Sequence, residues 1–337
     1  MRGERVTGNA MDVSVIIVNW NTRDLLLRCL AALGVALRDQ SHEVWLVDNG
    51  SQDGSVEATQ TAFPAVRIIA NPENRGYAAA VNQGLARAHG RYILLLNTDA
   101  LPMADAIHTL FGFLESHPEA AAAGGQLLRP DGSRQNSIAN FPSLTTELLN
   151  KSLLRLLLPG RFPGKGRDTP APVEVESLVG ACLLVRREVV DRIGPLDERY
   201  FFFLEETDWC YRMRRAGYGI YYVPQARIYH LQGASARNFE AEARIEYHRS
   251  RLHFFTKHRG RMATACLRGG CLVRVGMDAA ALGLVSLLPG MGESRIGRKA
   301  QAARRLLGWY LRGCPAVDGL PRQTRDPLAG GADATGA

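Results

Sequence analysis

The chain has 337 residues, enough to bury a large core as one domain or two. With 46% hydrophobic and 22% charged residues, its composition is that of a globular protein and excludes a largely disordered one. The formal charge of +8 is uneven: the stretch from Arg244 to the end holds 16 basic and 6 acidic residues, so the rest is nearly neutral. Because a nucleic-acid enzyme more often spreads basic residues over its working face, we expect no nucleic acid as a partner.

Cysteine usage and the N-terminus indicate the cellular compartment. The six cysteines show no C-x-x-C spacing, which favours buried free thiols in a reducing cytosol over disulfides or a zinc site. The segment Met1–Asp12 is polar and lacks the apolar core of a secretion signal. The late apolar stretch Val275–Leu288 is interrupted by Asp278 and is shorter than the roughly 20 residues of a membrane span. We therefore expect a cytoplasmic protein.

Strand and helix patterns alternate over the first hundred residues. Four apolar runs are predicted as buried strands: Val13–Asn19, Glu43–Val47, Val66–Ala70 and the central run from Arg91 to Leu96. Helical segments such as Arg23–Leu33 separate these strands. This order predicts a parallel sheet with right-handed crossovers.

Polar residues follow each of these strands where it ends. They are Trp20 and Asn21, Asp48, Asn74 and Arg75, and the run Asn97-Thr98-Asp99. Any one of them could be a turn, and we expect helix caps from Thr22 and from Asp53 or Ser55. Because the carboxyl ends of parallel strands meet at the edge where α/β proteins bind ligands, the joint pattern favours a nucleotide site.

The helix predicted over about Tyr77–Ala88 begins beside a glycine. Gly76, with Arg75 next to it, offers free backbone N–H groups and one cation, which suit a diphosphate. The segment lacks the G-x-G-x-x-G pattern of a dinucleotide fold. Asn82 lies within this helix although asparagine is a poor helix former, and we count it among the candidate binding residues.

A second group of candidate residues lies where three phenylalanines, residues 201–203, are followed by the acidic residues Glu205, Glu206 and Asp208. Glu205 and Glu206 directly follow an apolar run, so we expect partial desolvation, a raised pKa and a role as general base. Acidic residues in a first helical turn also favour the helix dipole. For Asp208 this structural role is favoured, because it can pair with Arg212 one turn later.

Three further strands and a histidine complete the predicted globular part. The strands are Val179–Val185, Tyr218–Val223 and Ala226–Tyr229, and His230 ends the last of them. A lone histidine is more often a surface or core residue than a ligand. A helix predicted over Phe239–His258 then closes the domain.

Five sequence blocks occur in an order that is typical of one enzyme family. The blocks are Val-Ser-Val-Ile-Ile-Val-Asn-Trp-Asn, Val-Asp-Asn-Gly-Ser-Gln-Asp-Gly-Ser, Asn-Arg-Gly-Tyr-Ala-Ala-Ala-Val-Asn, Asn-Thr-Asp and Phe-Leu-Glu-Glu-Thr-Asp-Trp-Cys-Tyr-Arg. Together they resemble family 2 glycosyltransferases of the GT-A fold, and within that family the bacterial rhamnosyltransferase-like members. The resemblance covers residues 12–258 and implies an α/β, Rossmann-like three-layer sandwich with a mostly parallel central sheet. Residues 259–318 are expected to form a helical basic extension, and residues 1–11 and 319–337 to be disordered.

The resemblance implies a nucleoside-diphosphate-sugar donor, linked to dTDP or UDP. Trp20, Asp48 and Asn49 would border the base, and Arg75 and Gly76 the ribose and diphosphate. The full set of expected donor contacts is Asn19, Trp20, Asn21, Asp48, Asn49, Arg75, Gly76, Asn82, Asn97 and Thr98.

Asn97-Thr98-Asp99 stands where the family has its Asp-x-Asp motif, which implies a divalent cofactor. Asp99 would hold Mg²⁺ or Mn²⁺ between the donor phosphates. Asn97 removes one anionic ligand, and that position would instead hydrogen-bond ribose or sugar. His230 falls where such enzymes often place a C-terminal histidine on the metal or the diphosphate.

Glu205 and Glu206 occupy the family's Glu-Asp pair, which makes Glu206 the expected base. It would take the proton of a hydroxyl on a polysaccharide or lipid-linked glycan, in a single displacement that inverts the anomeric carbon of the sugar, rhamnose being one candidate. Gly180 and Asp208 are expected on the acceptor side. Asn97 and Glu206 differ from the residues that the family has at these positions. These differences leave open the hypothesis of a non-catalytic sugar-nucleotide-binding or scaffold protein of this fold. A nucleotidyltransferase on the same sheet is a weaker third hypothesis.

The C-terminal extension admits two interpretations. Cys266–Leu288 and Arg295–Arg312 both mix apolar and basic residues at helical spacing. Such helices can lie on an anionic membrane surface, here the inner face of the cytoplasmic membrane. They can equally form a helical pair that packs on the catalytic domain with a solvated basic face. The sequence favours neither interpretation.

Overall fold

A computed structural model of the protein describes residues 11–149, 169–231, 240–286, 295–316 and 318–320. Its strands are β1 Val13–Asn19, β2 His42–Asp48, β3 Arg67–Ala70, β4 Tyr92–Asn97, β5 Ala100–Pro102, β6 Ala120–Leu128, β7 Ile138–Ala139, β8 Val173–Glu174, β9 Ser177–Leu178, β10 Cys182–Arg186 and β11 Gly219–His230. Its helices are α1 Arg23–Ala36, α2 Ser55–Ala62, α3 Tyr77–Leu85, α4 Ala106–Ser116, α5 Leu144–Leu148, α6 Arg187–Ile193, α7 Glu205–Arg215, α8 Glu240–His258, α9 Gly260–Ser286 and α10 Arg295–Leu311. The two segments predicted to be disordered, 1–11 and 319–337, lie almost entirely outside the described residues.

The first four strands form the parallel half of the sheet, as the alternation of strands and helices predicts. Their order is β3-β2-β1-β4, and all three neighbouring pairs are parallel. In this register Asn19 lies opposite Asp48, and Val18 lies opposite Asn97. The polar strand ends therefore do meet at one edge of the sheet.

The second half of the sheet is mixed. It continues from β4 in the order β10-β6-β11-β5, with β8 paired to β11. Strands β6 and β11 run parallel to the first four, whereas β5, β8 and β10 run in the opposite direction. Most strands of the central sheet thus share one direction, which agrees with the predicted fold class.

The predicted strand boundaries in this half need correction. The two strands predicted at Tyr218–Val223 and Ala226–Tyr229 are one long strand, β11, with a register irregularity after Val223. The run predicted at Val179–Val185 is instead broken, because β9 ends before Gly180 and β10 begins after it. The alanine-rich strand β6, buried throughout, was not predicted at all.

Helices cover both faces of the sheet and give three layers. Successive residues of a strand point to opposite faces, so Ile17 of β1 packs with α1 and α4 while Ile16 packs with α3 and α7. In the same way Leu94 and Leu95 of β4 belong to different clusters. Burial on both faces explains why these strands are apolar without alternation.

A third apolar cluster holds the C-terminal helices together. Phe254 and Phe255 of α8, Leu267 of α9 and Trp309 of α10 are buried in it, and Tyr200 joins it to the sheet domain. Helices α9 and α10 therefore pack on the sheet domain. The described part of the apolar stretch that was predicted to be too short for a membrane span, residues 275–286, is the second half of α9. This helix of 27 residues, with a mean hydropathy of 1.3 over its apolar window, has the length and composition of a span.

Gly125→Ala should destabilise the protein, because a Cβ on this β6 residue would collide with the backbone carbonyl of Ala226 on β11. Overpacking of this kind costs about 1–3 kcal/mol. Gly112→Ala on α4 is the matched control: no described atom lies within 4 Å of the added methyl group. Helix propensity should then raise the free energy of unfolding by about 0.5–1 kcal/mol. Urea unfolding measures both values, and an unchanged Gly125→Ala variant would contradict the close approach of these two strands.

Candidate active site

Hydrogen bonds between side chains fix the ends of β1 and β2. The amide Nδ2 of Asn19 donates to Oδ1 of Asp48 over 2.8 Å and to Oγ of Ser51 over 3.0 Å. The backbone N–H of Ser51 donates to the other Asp48 oxygen over 2.8 Å. Both carboxylate oxygens of the buried Asp48 are thus engaged, and the loop after β2 is held against β1.

The hydroxyl of Thr22 extends this network to β4. It donates to Oδ1 of Asn19 over 2.7 Å and lies 2.9 Å from the Thr98 hydroxyl. Thr22 stands at the N-cap of α1 but makes no cap bond, so the predicted cap is wrong. The carboxylate of Asp53 instead accepts from the N–H of Arg23, the first residue of α1. It also accepts from the N–H of Ser55, the first residue of α2.

The loop before α3 is built around Gly76. Asn49 donates to Oδ1 of Asn74 over 3.2 Å and to the carbonyl of Gly76 over 3.1 Å, and Asn74 accepts from the N–H of Gly76 over 3.0 Å. Gly76 has φ +86°, and a Cβ there would lie 2.7 Å from the carbonyl oxygen of Phe201. Only glycine fits this approach.

The backbone N–H groups at this loop are less available than predicted. Gly76 uses its N–H on Asn74, and Tyr77 donates its N–H to Phe201 over 2.7 Å. Neither group is free for a diphosphate, which corrects our expectation. The side chain of Arg75 is exposed beside them, so the predicted cation remains accessible.

Asp99 and His230 lie together although they are far apart in the sequence. Strand β5 follows Asp99 directly and pairs antiparallel with the end of β11, so that His230 lies opposite Ala100. Nε2 of His230 is 3.4 Å from Oδ1 of Asp99, and both side chains are largely buried. The structure thus brings together the two residues that were predicted to hold a metal.

Gln135 fixes the tautomer of His230. Nε2 of Gln135 donates to the His230 carbonyl over 3.2 Å, so its Oε1 is the atom that lies 2.8 Å from Nδ1 of His230. In a neutral imidazole Nδ1 therefore carries the hydrogen, and the lone pair of Nε2 faces the carboxylate of Asp99. Two such lone pairs repel unless a proton or a cation joins them. A carboxylate oxygen and an imidazole nitrogen are both suitable ligands for a divalent cation, so the residues fit a metal.

Glu205 and Glu206 open helix α7 after a strained turn. Phe203 and Leu204 both have positive φ, +73° and +66°, which costs non-glycine residues about 1–3 kcal/mol each. The carbonyls of Phe201 and Phe202 are held by the N–H of Tyr77 and, over 2.9 Å, by the hydroxyl of Ser250. The surrounding structure therefore holds this turn, and with it the direction in which α7 begins.

Burial dominates the electrostatics of the two glutamates. Burial and then the charge of Glu206 raise the pKa of Glu205 well above its ordinary value, and no described group hydrogen-bonds its Oε2. Burial also raises the pKa of Glu206, although backbone N–H groups, including that of Gly180, partly offset this. The predicted desolvation of both carboxyl groups is confirmed.

The segment at Gly180 connects Glu206 to the end of β4. A Cβ on Gly180 would lie only 3.1 Å from Cγ of Glu206, and the next residue, Ala181, accepts a 2.9 Å hydrogen bond from the N–H of Asn97. Burial and then the charges of Glu205, Glu206 and Asp99 raise the pKa of Tyr77. The charges of the predicted base and of the predicted metal ligand both act on Tyr77. The two carboxyl groups therefore lie in the same region of the protein.

Comparisons with known proteins show the family of the chain. The sequence profile of glycosyl transferase family 2 matches residues 14–194. An N-acetylglucosaminyl-diphospho-decaprenol L-rhamnosyltransferase of Mycobacterium tuberculosis is 31% identical to the chain, covering 73% of it and 85% of the relative. The chain belongs to glycosyl transferase family 2. A hexosyltransferase of low-salt glycan biosynthesis from Haloferax volcanii is 25% identical over 69% of the chain and 72% of that relative.

Solved structures of glycosyltransferases share the fold. The mannosyltransferase PcManGT from Pyrobaculum calidifontis, in complex with GDP-Man and Mn²⁺, superposes with a TM-score of 0.54 at 18% identity, covering 90% of this chain and 87% of that one. GalNAc-T7 with UDP, GalNAc and Mn²⁺ gives a TM-score of 0.52 at 13% identity, covering 91% of this chain and 57% of that one. The family 2 chain therefore has the GT-A fold.

Two predicted site residues of this glycosyltransferase have partners elsewhere. The amide of Asn82 exchanges hydrogen bonds of 2.9 and 3.0 Å with the backbone of Leu196 and donates to Glu198. Asp208 is buried and pairs with Arg212 at 3.0 Å, which confirms the predicted i, i+4 pair. Both side chains therefore hold neighbouring segments of the chain in place. Their contact with donor or acceptor stays a prediction.

Sequence reasoning missed the other partners of Asp208. Lys257 and His258, at the end of α8, approach its Oδ1 to 2.8 and 2.6 Å. Burial alone would raise the pKa of Asp208, but the hydrogen bonds from His258 and Lys257 lower it below its ordinary value. The cluster joins α7 to α8, and the run of basic residues that ends α8 was the signal that could have predicted it.

Aromatic side chains form a row beside the glutamates. Ring centroids are 6.3 Å apart for Tyr77 and Phe202, 4.5 Å for Phe202 and Phe203, and 5.7 Å for Phe203 and Tyr247. All four side chains are partly exposed. Burial is the largest cause of the raised pKa of both end members, Tyr77 and Tyr247, and the charge of Glu206 adds to it. The row therefore borders the predicted base.

Glu205→Gln should change how stability depends on pH. The folded state keeps a proton on Glu205 that the unfolded chain loses above its ordinary pKa of 4.5. The contribution of Glu205 to stability is therefore fully present below pH 4.5 and is lost as the pH rises through the raised pKa of the folded state. The amide cannot ionise, so the free energy of unfolding, measured in urea, should fall less between pH 5 and pH 7 in the variant. Glu119→Gln, at an exposed glutamate, is the control and should follow the wild type; equal slopes in all three proteins would refute the burial of an ionisable group here.

Proposed function

We propose that the chain is a metal-dependent, inverting glycosyltransferase. It moves a sugar, with rhamnose as the candidate, from a dTDP- or UDP-linked donor to a hydroxyl of a polysaccharide or lipid-linked glycan. The observation that carries the proposal is the connection through Gly180 and Ala181 between the partly buried Glu206 and the end of β4, which Asp99 follows. An acid-base group and a cation site at one sheet edge are what transfer from a nucleotide sugar requires.

The strand ends bind the donor in this proposal. Asn19, Asp48 and Asn49 hold the loops in place through the hydrogen bonds they make with one another and with Ser51 and Gly76. The accessible cation of Arg75 then faces the negative charge of the diphosphate.

Asp99 and His230 would hold the divalent cation, Mg²⁺ or Mn²⁺. Among the described residues no third His, Cys, Asp or Glu side chain converges on them, and the donor phosphates and water would supply the other ligands. Such a cation neutralises the charge that develops on a diphosphate leaving group. The Mn²⁺ in the two similar solved structures supports this assignment.

Glu206 is the general base. Burial raises its pKa toward neutrality, where a carboxylate takes a proton from a hydroxyl more effectively. The N–H of Gly180 orients the carboxylate and partly offsets this rise in pKa. Because the attacking hydroxyl displaces the diphosphate in one step, the anomeric carbon is inverted.

The acceptor is a glycan at the inner face of the cytoplasmic membrane. The name of the Mycobacterium tuberculosis relative describes transfer of L-rhamnose to a diphospho-decaprenol-linked sugar. That name supports rhamnose and a lipid-linked acceptor here. The partly exposed aromatic row beside Glu206 offers apolar ring faces on which an acceptor sugar can stack.

Glu206→Gln should lower kcat by about 10²–10⁴-fold, because the amide cannot accept the proton of the acceptor hydroxyl. Binding of the donor nucleotide should be unchanged, since the substitution removes no group from the β1, β2 and β4 ends. The measurements are transfer rates on a panel of glycan acceptors and titration of the nucleoside diphosphate. Glu119→Gln serves as the exposed control. Full activity of Glu206→Gln would remove Glu206 as the base, and donor binding without transfer by the wild type on any acceptor would favour the scaffold hypothesis.

Asp99→Asn should abolish the effect of Mn²⁺ on thermal stability. In the wild type, UDP or dTDP together with Mn²⁺ should raise the Tm more than the nucleotide alone, because ligands that bind the folded state stabilise it. The variant should lose this increment while it still binds the nucleotide. Asp105→Asn, at an exposed carboxylate, is the matched control. A full Mn²⁺ increment in Asp99→Asn would place the cation elsewhere.

A further inference from the structure

Helix α9 carries a continuous exposed apolar stripe. Four of its large side chains are largely accessible, with exposed fractions of 82% for Met262, 64% for Val273, 68% for Met277 and 75% for Leu284. Smaller exposed residues fill the stripe between them, and its members are Met262, Cys266, Gly269, Val273, Met277, Ala280 and Leu284.

The spacing of these residues places them on one face of the helix. Steps of three and four residues repeat along the whole stripe, which is the period of an α-helix. At a rise of 1.5 Å per residue the stripe is about 33 Å long. An isolated exposed apolar residue requires no explanation, but an ordered row of this length marks an interaction surface.

The opposite face of α9 is already occupied. Leu267, Cys271 and Val275 are buried in the third apolar cluster with side chains of α8 and α10. Gly270 approaches Leu148 of α5 so closely that a Cβ there would collide with it. Crossing a membrane would require α9 to leave these partners. The helix can, however, place its exposed stripe in a membrane surface without losing any of them.

Arginines border the stripe on both sides. With 100° between successive residues, Arg261 lies on one side of it and Arg274 on the other, and both are exposed. The sequence of α9 contains one acidic residue, Asp278. Long cationic side chains beside an apolar surface reach anionic headgroups while the apolar residues enter the acyl boundary. A second copy of the chain on this face would instead bring arginines close to arginines.

We propose that α9 docks the protein on an anionic membrane, with its axis in the plane of the surface and its apolar stripe in the headgroup region. The partner that covers the exposed stripe of α9 is a lipid bilayer. This inference does not rest on the proposed sugar transfer, because its readout is binding to lipid. It also answers the question that the sequence left open, since the extension packs on the catalytic part through one face and presents the other outward.

Sedimentation with vesicles tests the proposal. The full chain should bind vesicles of phosphatidylglycerol and phosphatidylcholine, and the double variant Val273→Glu/Met277→Glu should bind them at least about tenfold more weakly. Met262→Glu, at the most exposed position of the stripe, gives a second variant whose folding is least at risk. Val35→Glu on α1 is the matched control, because Val35 is 52% exposed but lies outside the stripe, and it should bind like the wild type.

Charge variants and the oligomeric state complete the test. Arg261→Glu/Arg274→Glu should weaken binding to anionic vesicles and leave the weaker binding to phosphatidylcholine vesicles unchanged. Thermal unfolding confirms that each variant is folded. Wild-type protein that does not bind anionic vesicles would overturn the proposal. So would a dimer that Val273→Glu/Met277→Glu converts to monomers without a change in vesicle binding, since a second copy would then be the occupant.

Discussion

The arrangement of the site depends on the backbone hydrogen bond between Asn97 and Ala181. Strand β10 pairs antiparallel with β4, so the turn before β10 lies at the edge where β4 ends. The N–H of Asn97 then reaches the carbonyl of Ala181, and the preceding residue, Gly180, contacts Glu206. A backbone hydrogen bond contributes only about 1 kcal/mol to stability. Its consequence here is geometric, because it links the strand that bears Asp99 to the helix that bears Glu206, and a side chain on Gly180 would push that helix away.

The strained turn before α7 accounts for the unusual state of the two glutamates. The N-terminus of a helix favours ionised carboxylates, and backbone N–H groups do lower the pKa of both residues. Burial opposes this and has the larger effect on both pKa values, and the turn at Phe203 and Leu204 sets the direction in which α7 begins. Burial and the helix dipole shift the pKa of these carboxyl groups in opposite directions. Small changes around the groups therefore alter their protonation. An acceptor that displaces water from Glu206 would shift that balance further.

The sequence predicted what is local and missed what the tertiary structure creates. The four parallel strands and their polar ends follow from apolar runs and their termini, which need no partner to be visible. Strand β6 was missed because alanine favours helices, and its strand conformation comes from burial between β10 and β11. The roles of Asp99 and His230 came from the family resemblance, whereas their 3.4 Å separation depends on the pairing of β5 with β11. Lys257 and His258 were likewise invisible as partners of Asp208, since that contact depends on how α8 packs against α7.

The polar strand ends divide into those that build the site and those that remain accessible. Hydrogen bonds join the side chains of Asn19, Asp48 and Thr22 to one another, to Ser51 and to Thr98. Such residues set the shape of the edge, and substituting them would disturb every loop around it. Arg75 is exposed and Asn97 is partly exposed, so these two side chains can change their partners without cost to the network. In the proposed enzyme a substitution at Asn97 would alter the choice of donor sugar more easily than one at Asp48, because only at Asn97 could a new side chain meet a ligand without first breaking a buried hydrogen bond.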